Sequence, residues 1–126
     1  MIFNGKSATV TTTVTDKNTA KAVGSGSLDV FATPMMIALM EQAAYECIAD
    51  GLEPGQTSVG TQINAAHTAA SPLGAVISAT AEIVAVDGRK ISFTVTAHDG
   101  TNEIGNGTHE RFIIDAERFM NKLEQR

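Results

Sequence analysis

Glu41 is the residue whose surroundings call most clearly for a reason. It lies in the stretch 32–51, ATPMMIALMEQAAYECIADG, which reads as one long helix. At 100° per residue, Gln42, Glu46 and Asp50 fall on one narrow polar stripe. Nearly everything else is apolar, so the helix is expected to be wrapped rather than merely amphipathic. Glu41 points away from the stripe, among Ile37, Ala44, Tyr45 and Ile48. An unpaired carboxylate in apolar company is costly to ionise, and its pKa rises. Such a group is either a general acid or base tuned by burial, or a partly exposed glutamate near an interface or tied to a backbone amide. The helix alone leaves both open.

His67 is the second candidate. It closes a stretch, 57–68, in which Val59, Thr61, Ile63, Ala65 and His67 alternate onto one face, the face expected to meet the helix. A lone inward histidine is commonly a satisfied core residue, and an inward glutamate on the facing helix weighs against that reading here. Thr33 is the third. At the helix start, free amides and the helix dipole favour developing negative charge, and the same residue reads as the N-cap ahead of Pro34 at the first helical position. Arg111 shares the parity of His109 and either flanks a cleft or makes a salt bridge. His98, beside the Asp99-Gly100 turn, reads as surface, and Cys47, beside Met36, Met40 and Ala43, as a packed, inert thiol.

Other chemistries lack their patterns. Three histidines and one cysteine give no Cys-x-x-Cys or His-x-x-x-His spacing for structural zinc. There is no Gly-x-Ser-x-Gly elbow, and no phosphate-loop or dinucleotide fingerprint. Gly24-Ser25-Gly26-Ser27 has no strand–turn–helix setting around it, so it reads as a mobile loop; its place before the helix makes it a candidate lid.

The elements that must hold these residues follow from periodicity and turn chemistry. Residues 8–15, ATVTTTVT, read as a strand and 16–28 as a loop. The helix is expected to stop at a left-handed Gly51, with Pro54 beyond, and 51–56 to form a turn. Strands at 75–86 and 89–98 are joined by Asp87-Gly88, a hairpin signal; Ile77, Ala79, Ala81, Ile83 and Ala85 share one face, as do Ile91, Phe93, Val95 and Ala97. A last strand spans 103–114, where Gly105 and Gly107 imply a bulge or a close approach, and a polar helix with Phe119 and Leu123 on one stripe follows at 115–126. One strand, one helix and four strands in hairpin succession predict an α+β domain: an antiparallel five-stranded sheet curled around one long central helix. The unpaired edge and uncovered face predict at least a homodimer, with a tetramer open.

At 126 residues the chain suits a single domain, 1–126, that buries about two-thirds of its unfolded surface without disulfide or metal. A net charge of −5 argues against nucleic acid as a partner. The single Cys47 cannot form an internal disulfide, the start MIFNGK lacks a basic region before an apolar core, and no apolar run approaches a membrane span of ~20 residues. A soluble, cytoplasmic chain with no membrane partner is the expectation.

Taken together, VFATP, MIALMEQA, VGTQINAAHTAASPLG, VDGRKISFTVTAHDG and EIGNGTHERFIID resemble the fluoroacetyl-CoA thioesterase family of hotdog-fold acyl-CoA thioesterases, over about 30–115. The resemblance implies the hotdog fold, a dimer with active sites at the subunit interface, hydrolysis of an acyl-CoA thioester, and no metal or redox cofactor. It matches Thr33, Glu41 and His67 to the catalytic trio, Gly60 to a backbone amide near the thioester carbonyl, and Arg111 to a residue close to the acyl group. It also implies one departure. Phenylalanines that close the fluoroacetyl-specific pocket correspond to Gly24 and Ser27, and no aromatic residue lies between Phe3 and Phe31. A thioesterase that is not fluoroacetyl-specific is expected; the alternatives are a non-catalytic acyl-CoA-binding module and a hotdog enoyl-CoA hydratase, whose Asp–His spacing is absent.

Overall fold

Alternating aliphatic residues build an inner sheet face, and one helix covers it. The computed structural model describes residues 1–126. In chain order the elements are β1 (Ser7–Thr13), α1 (Ala20–Val23), α2 (Thr33–Ala49), β2 (Gln56–His67), β3 (Val76–Asp87), β4 (Lys90–His98), β5 (Glu103–Asp115) and α3 (Ala116–Glu124). The five strands form one antiparallel sheet ordered β1-β3-β4-β5-β2. Ile77, Ala79, Ala81 and Ile83 of β3 and Ile91, Phe93, Val95 and Ala97 of β4 face Met36, Met40, Ala43, Ala44, Cys47 and Ile48 of α2 in one core. The predicted α+β class and the sheet curled around a central helix are what the fold shows. No helix is long and apolar enough to cross a membrane.

Several local expectations are corrected. The four later strands do not follow one another as hairpins: β2 pairs with β5 at one edge, and the chain then crosses to β3, beside β1. The stretch 16–28 is not all loop, because Thr19 caps α1 by accepting from the Ala22 amide, and Gly24 closes it at φ 80. The β3–β4 loop is Gly88-Arg89, one residue later than read, since Asp87 pairs with Lys90. Gly51 is not a left-handed stop; α2 ends through Asp50 in right-handed geometry. What Gly51 supplies is room: a β-carbon there would lie 2.7 Å from Ile2 Cγ1 and 3.2 Å from the Met1 backbone.

Two bulges change which residues face inward. The β2–β5 register shifts between Gly60 and Gln62, so Thr61 is the extra residue. Ser58 and Gly60 therefore share the inner face with Ile63, Ala65 and His67, whereas Val59 and Thr61, expected there, do not. A second shift between Ile83 and Ala85 turns Ala85 out to solvent. Gly105 and Gly107 mark a close approach, as expected. A β-carbon on Gly105 would meet Met36 Sδ at 2.5 Å, and one on Gly107 would overlap the Asn64 carbonyl oxygen.

The helix is less wrapped than its sequence implies. Ile37 and Glu41 are only half-buried, and Tyr45 is exposed, so this flank is open.

Candidate active site

Thr33 is the first residue of α2 rather than its cap; Ala32 holds the cap position without a side-chain hydrogen bond, and Pro34 follows second. Freed from capping, the hydroxyl serves another partner: Thr33 Oγ1 lies 2.7 Å from His67 Nδ1. The inward parity of β2 past its bulge brings His67 to the helix start, where the Phe31 ring meets the imidazole edge-on at 6.5 Å. Phe31 is fixed in turn by its backbone N–H, which donates a hydrogen bond to the Ser71 carbonyl. Burial pushes the imidazole below its ordinary pKa, which keeps it neutral at neutral pH. Its Nε2 is buried without a hydrogen-bond partner. A cavity of about 250 Å³ adjoins this pair, walled by Ala20, Ser25, Val30 and Phe31 as well as Thr33 and His67. A neutral imidazole bonded to a hydroxyl beside a cavity can take that hydroxyl's proton, or hold it in line for a water.

Glu41 lies elsewhere. Eight residues along a helix correspond to about 12 Å, so Glu41 and Thr33 of one chain do not meet. The glutamate instead faces Gly60 of β2 and Arg111 of β5. Its Oε2 lies 3.8 Å from Arg111 Nη1, a loose ion pair, and its side chain keeps 41% of its exposure. A β-carbon on Gly60 would lie 2.7 Å from Glu41 Oε2, 3.2 Å from His109 Cε1 and 3.3 Å from Arg111 Nη1. Only glycine leaves the carboxylate room against the strand. Of the open alternatives for Arg111, the salt bridge is the one seen: it pairs with Glu41 from the inner face of the sheet.

Arg111 is 7% exposed. Its Nε donates to Ser58 Oγ at 2.8 Å, its Nη2 to the Ser58 carbonyl at 3.1 Å, and its guanidinium lies 5.8 Å from the Tyr45 ring centroid. Burial pulls its pKa down and the nearby Glu41 holds it up, so the guanidinium stays charged. His109, 1% exposed, sits beside it with Nε2 3.2 Å from Arg111 Nη1, and stacks on Phe93 at 5.9 Å. Nothing in the sequence marked Ser58 for this cluster; the shared parity of His109 and Arg111, and the place of Tyr45 beside Glu41 on the helix, were the signals that pointed toward it. Cys47 is buried and its thiol pKa raised by burial, in line with an inert packing role, and His98 is exposed.

The chain thus carries two clusters, Thr33 with His67 and Glu41 with Gly60, Arg111 and His109. Comparison with known proteins gives them a context. The family model described as fluoroacetyl-CoA-specific thioesterase matches residues 14–117. A fluoroacetyl-CoA thioesterase from Streptantibioticus cattleyicolor is 50% identical over 98 residues, covering 78% of this chain and 70% of its own. The structure superposes with a TM-score of 0.88 on a point mutant of the fluoroacetyl-CoA-specific thioesterase FlK in complex with fluoroacetate and CoA, at 41% identity over 94% of this chain and 99% of that one. A hot-dog-like protein from Thermanaerovibrio acidaminovorans shares the fold, with a TM-score of 0.88 at 21% identity over 97% of this chain and 90% of that one.

Proposed function

The chain belongs to the fluoroacetyl-CoA-specific thioesterase family, and from that premise we propose that it hydrolyses an acyl-CoA thioester to the free acid and CoA. The observation that carries this is the 2.7 Å contact of Thr33 Oγ1 with His67 Nδ1 on the wall of the cavity. The neutral imidazole accepts a proton from the attacking oxygen, which is that of Thr33 or of a water the pair orients. As the new C–O bond forms, the carbonyl oxygen gains negative charge, which backbone amides including that of Gly60 stabilise. The C–S bond then breaks, and the sulfur of CoA leaves with the proton held by His67. Attack by water gives the free acid directly, whereas attack by Thr33 leaves an acyl ester that a water, giving its proton to His67, then cleaves to the acid, the proton returning to the Thr33 oxygen. Glu41 supports the attack, and Arg111 stands beside the acyl group. Every step uses protons and dipoles of the chain and water, so no metal or redox cofactor is called for.

Two features of the chain shape this reading further. Thr33 and Glu41 are too far apart within one chain to act on one carbonyl. We therefore place the working site between two copies, with Glu41 of one facing Thr33 and His67 of the other. Ala20 and Ser25 form part of the cavity wall, and Gly24 and Ser27 stand where the resemblance places phenylalanines. Small side chains there leave the acyl group unconfined, so acyl groups other than fluoroacetyl are accepted and acetyl is poorly rejected.

Thiol release from a panel of short, long and aromatic acyl-CoAs tests the reaction, with Glu41→Gln and His67→Ala alongside. Turnover of one class, lost in both variants, is the expected result. A folded dimer that binds acyl-CoA by thermal shift yet releases no thiol would replace hydrolysis by a binding role.

A further inference from the structure

His109 forms no part of the reaction just described, yet it is almost wholly buried and bonded at both ring nitrogens. Its Nδ1 lies 2.7 Å from the Gln62 carbonyl oxygen. A carbonyl only accepts, so Nδ1 carries the hydrogen and donates it. In the neutral ring Nε2 is then left with its lone pair, and Arg111 Nη1, 3.2 Å away, donates to it. Phe93 covers the ring, stacked at 28°. Gln62 is the residue that ends the β2 bulge, and Gly60 begins it. One imidazole therefore ties together the bulge and the guanidinium that holds Glu41.

We infer that His109 is a positioning residue of the hydrolytic site: its Nδ1–H pins the bulge carrying Gly60, and its Nε2 aims Arg111. The inference rests on the thioesterase reading for its effect on rate, but not for the geometry it asserts. With the ring absent, the Gln62 carbonyl and one Arg111 N–H lose their partners inside a buried cluster. The Gly60 amide and the Arg111 guanidinium are then free to move relative to Glu41. The charged groups facing the ring are Arg111 on its own strand and Glu41 on α2, while Glu110, on the opposite face of the strand and paired with Lys90, acts on it through space; β2 and β4 present Ser58, Gln62 and Phe93, none of which titrates. Burial lowers the pKa of the ring, in keeping with a neutral histidine in this role.

The test compares His109→Phe, which keeps the stack on Phe93 but neither bonds Gln62 nor accepts from Arg111, with His109→Gln, whose amide offers one donor and one acceptor. In the intact protein, ¹⁵N spectra are expected to show His109 as the neutral Nδ1–H tautomer at neutral pH. In His109→Phe the Gly60 amide and Arg111 Nε resonances are expected to shift, and in His109→Gln to move back. With an acyl-CoA that the wild type turns over, kcat is expected to fall on the order of 10- to 100-fold in His109→Phe, with KM within a few-fold, and to recover in part in His109→Gln. An Nε2–H tautomer or a protonated ring in the wild type overturns the inference even where the Phe variant does not fold. So do unmoved Gly60 and Arg111 resonances in a folded Phe variant, or equal loss of kcat in both variants. A wild type that hydrolyses no acyl-CoA defeats the thioesterase reading instead, and the spectra then judge the positioning by themselves.

Discussion

A threonine hydroxyl is a weak nucleophile at neutral pH, and the proposed role of the imidazole beside Thr33 is to take its proton. Because burial lowers the His67 pKa from its ordinary value of about 6.5, the neutral, proton-accepting form is populated throughout the neutral range. The plot of kcat/KM against pH is therefore expected to be flat through neutrality, with an acid limb only below about 6.5. A limb centred at 7 or above would show that His67 is not the base. The same shift bears on stability. Above about 6.5 neither the folded nor the unfolded chain protonates His67 or His109, so these residues add no pH dependence. Below it the unfolded chain takes up protons first, and stability falls as pH drops toward the folded pKa values. Urea midpoints across pH 7 to 5 are expected to decline, and the decline to be shallower in His109→Phe. Gly60→Ala makes a different demand. Its new methyl meets the flexible end of Glu41 at 2.7 Å and presses on the buried His109 and Arg111 side chains at 3.2 and 3.3 Å, so the fold is expected to survive with a lowered urea midpoint while kcat drops on the order of tenfold or more. Unchanged kcat in that variant would remove the Glu41–Gly60 contact from the mechanism.

Among the elements, β5 is the most demanding. Gly105 and Gly107 face His67 and Ala65 across the β2 ladder, and at both positions backbone or Met36 occupies the space a side chain needs. Gly105→Ala is expected to cost about 1–3 kcal/mol through overpacking, read as a lower urea midpoint at unchanged slope. These glycines were legible in the sequence because glycine weakens a strand interior unless a bulge or a close approach requires it. The inner faces of β3 and β4 were legible as well, since strict alternation of Ile, Val, Phe and Ala admits one register against a core. Bulges carry no such mark. One extra residue at Thr61 or Val84 reverses the parity beyond it without changing the composition, which is why alternation alone puts Val59 and Ala85 on the wrong face. Strand order was hidden by a separate cause: the β2–β5 pairing is long-range, while the break at Ser71-Pro72-Leu73-Gly74 looks the same whether the chain turns back or crosses the sheet. The Thr33–His67 pair was open to sequence reasoning, because the parity from Ile63 to His67 is unbroken. The His109–Gln62 bond depends on a carbonyl that the bulge presents, so no pattern in the sequence pointed to it.

For the molecule as a whole, the proposed reaction joins two clusters that lie apart in one chain. The flank of α2 carrying Ile37, Glu41 and Tyr45 is uncovered, and Ile63 and Ala65 of the edge strand β2 remain half-buried on the same inner side. A two-fold partner laid on this flank would cover these residues with their own counterparts, as an isologous interface requires, and would end the exposure of Glu41. Such an arrangement makes two sites per dimer, each using Thr33 and His67 of one copy and Glu41 of the other. It follows that Thr33→Ala and Glu41→Gln, each inactive by itself, complement one another. A mixed dimer places both lesions in one site and leaves the other with an intact Thr33, His67 and Glu41. Unfolding and refolding an equal mixture, so that half the dimers are mixed, is expected to restore about a quarter of wild-type thiol release per chain, at unchanged KM. If both lesions acted within one chain's site, every site in the mixture would still carry one of them, and no activity would return. Recovery therefore separates a shared site from two independent ones without reference to which acyl group is used.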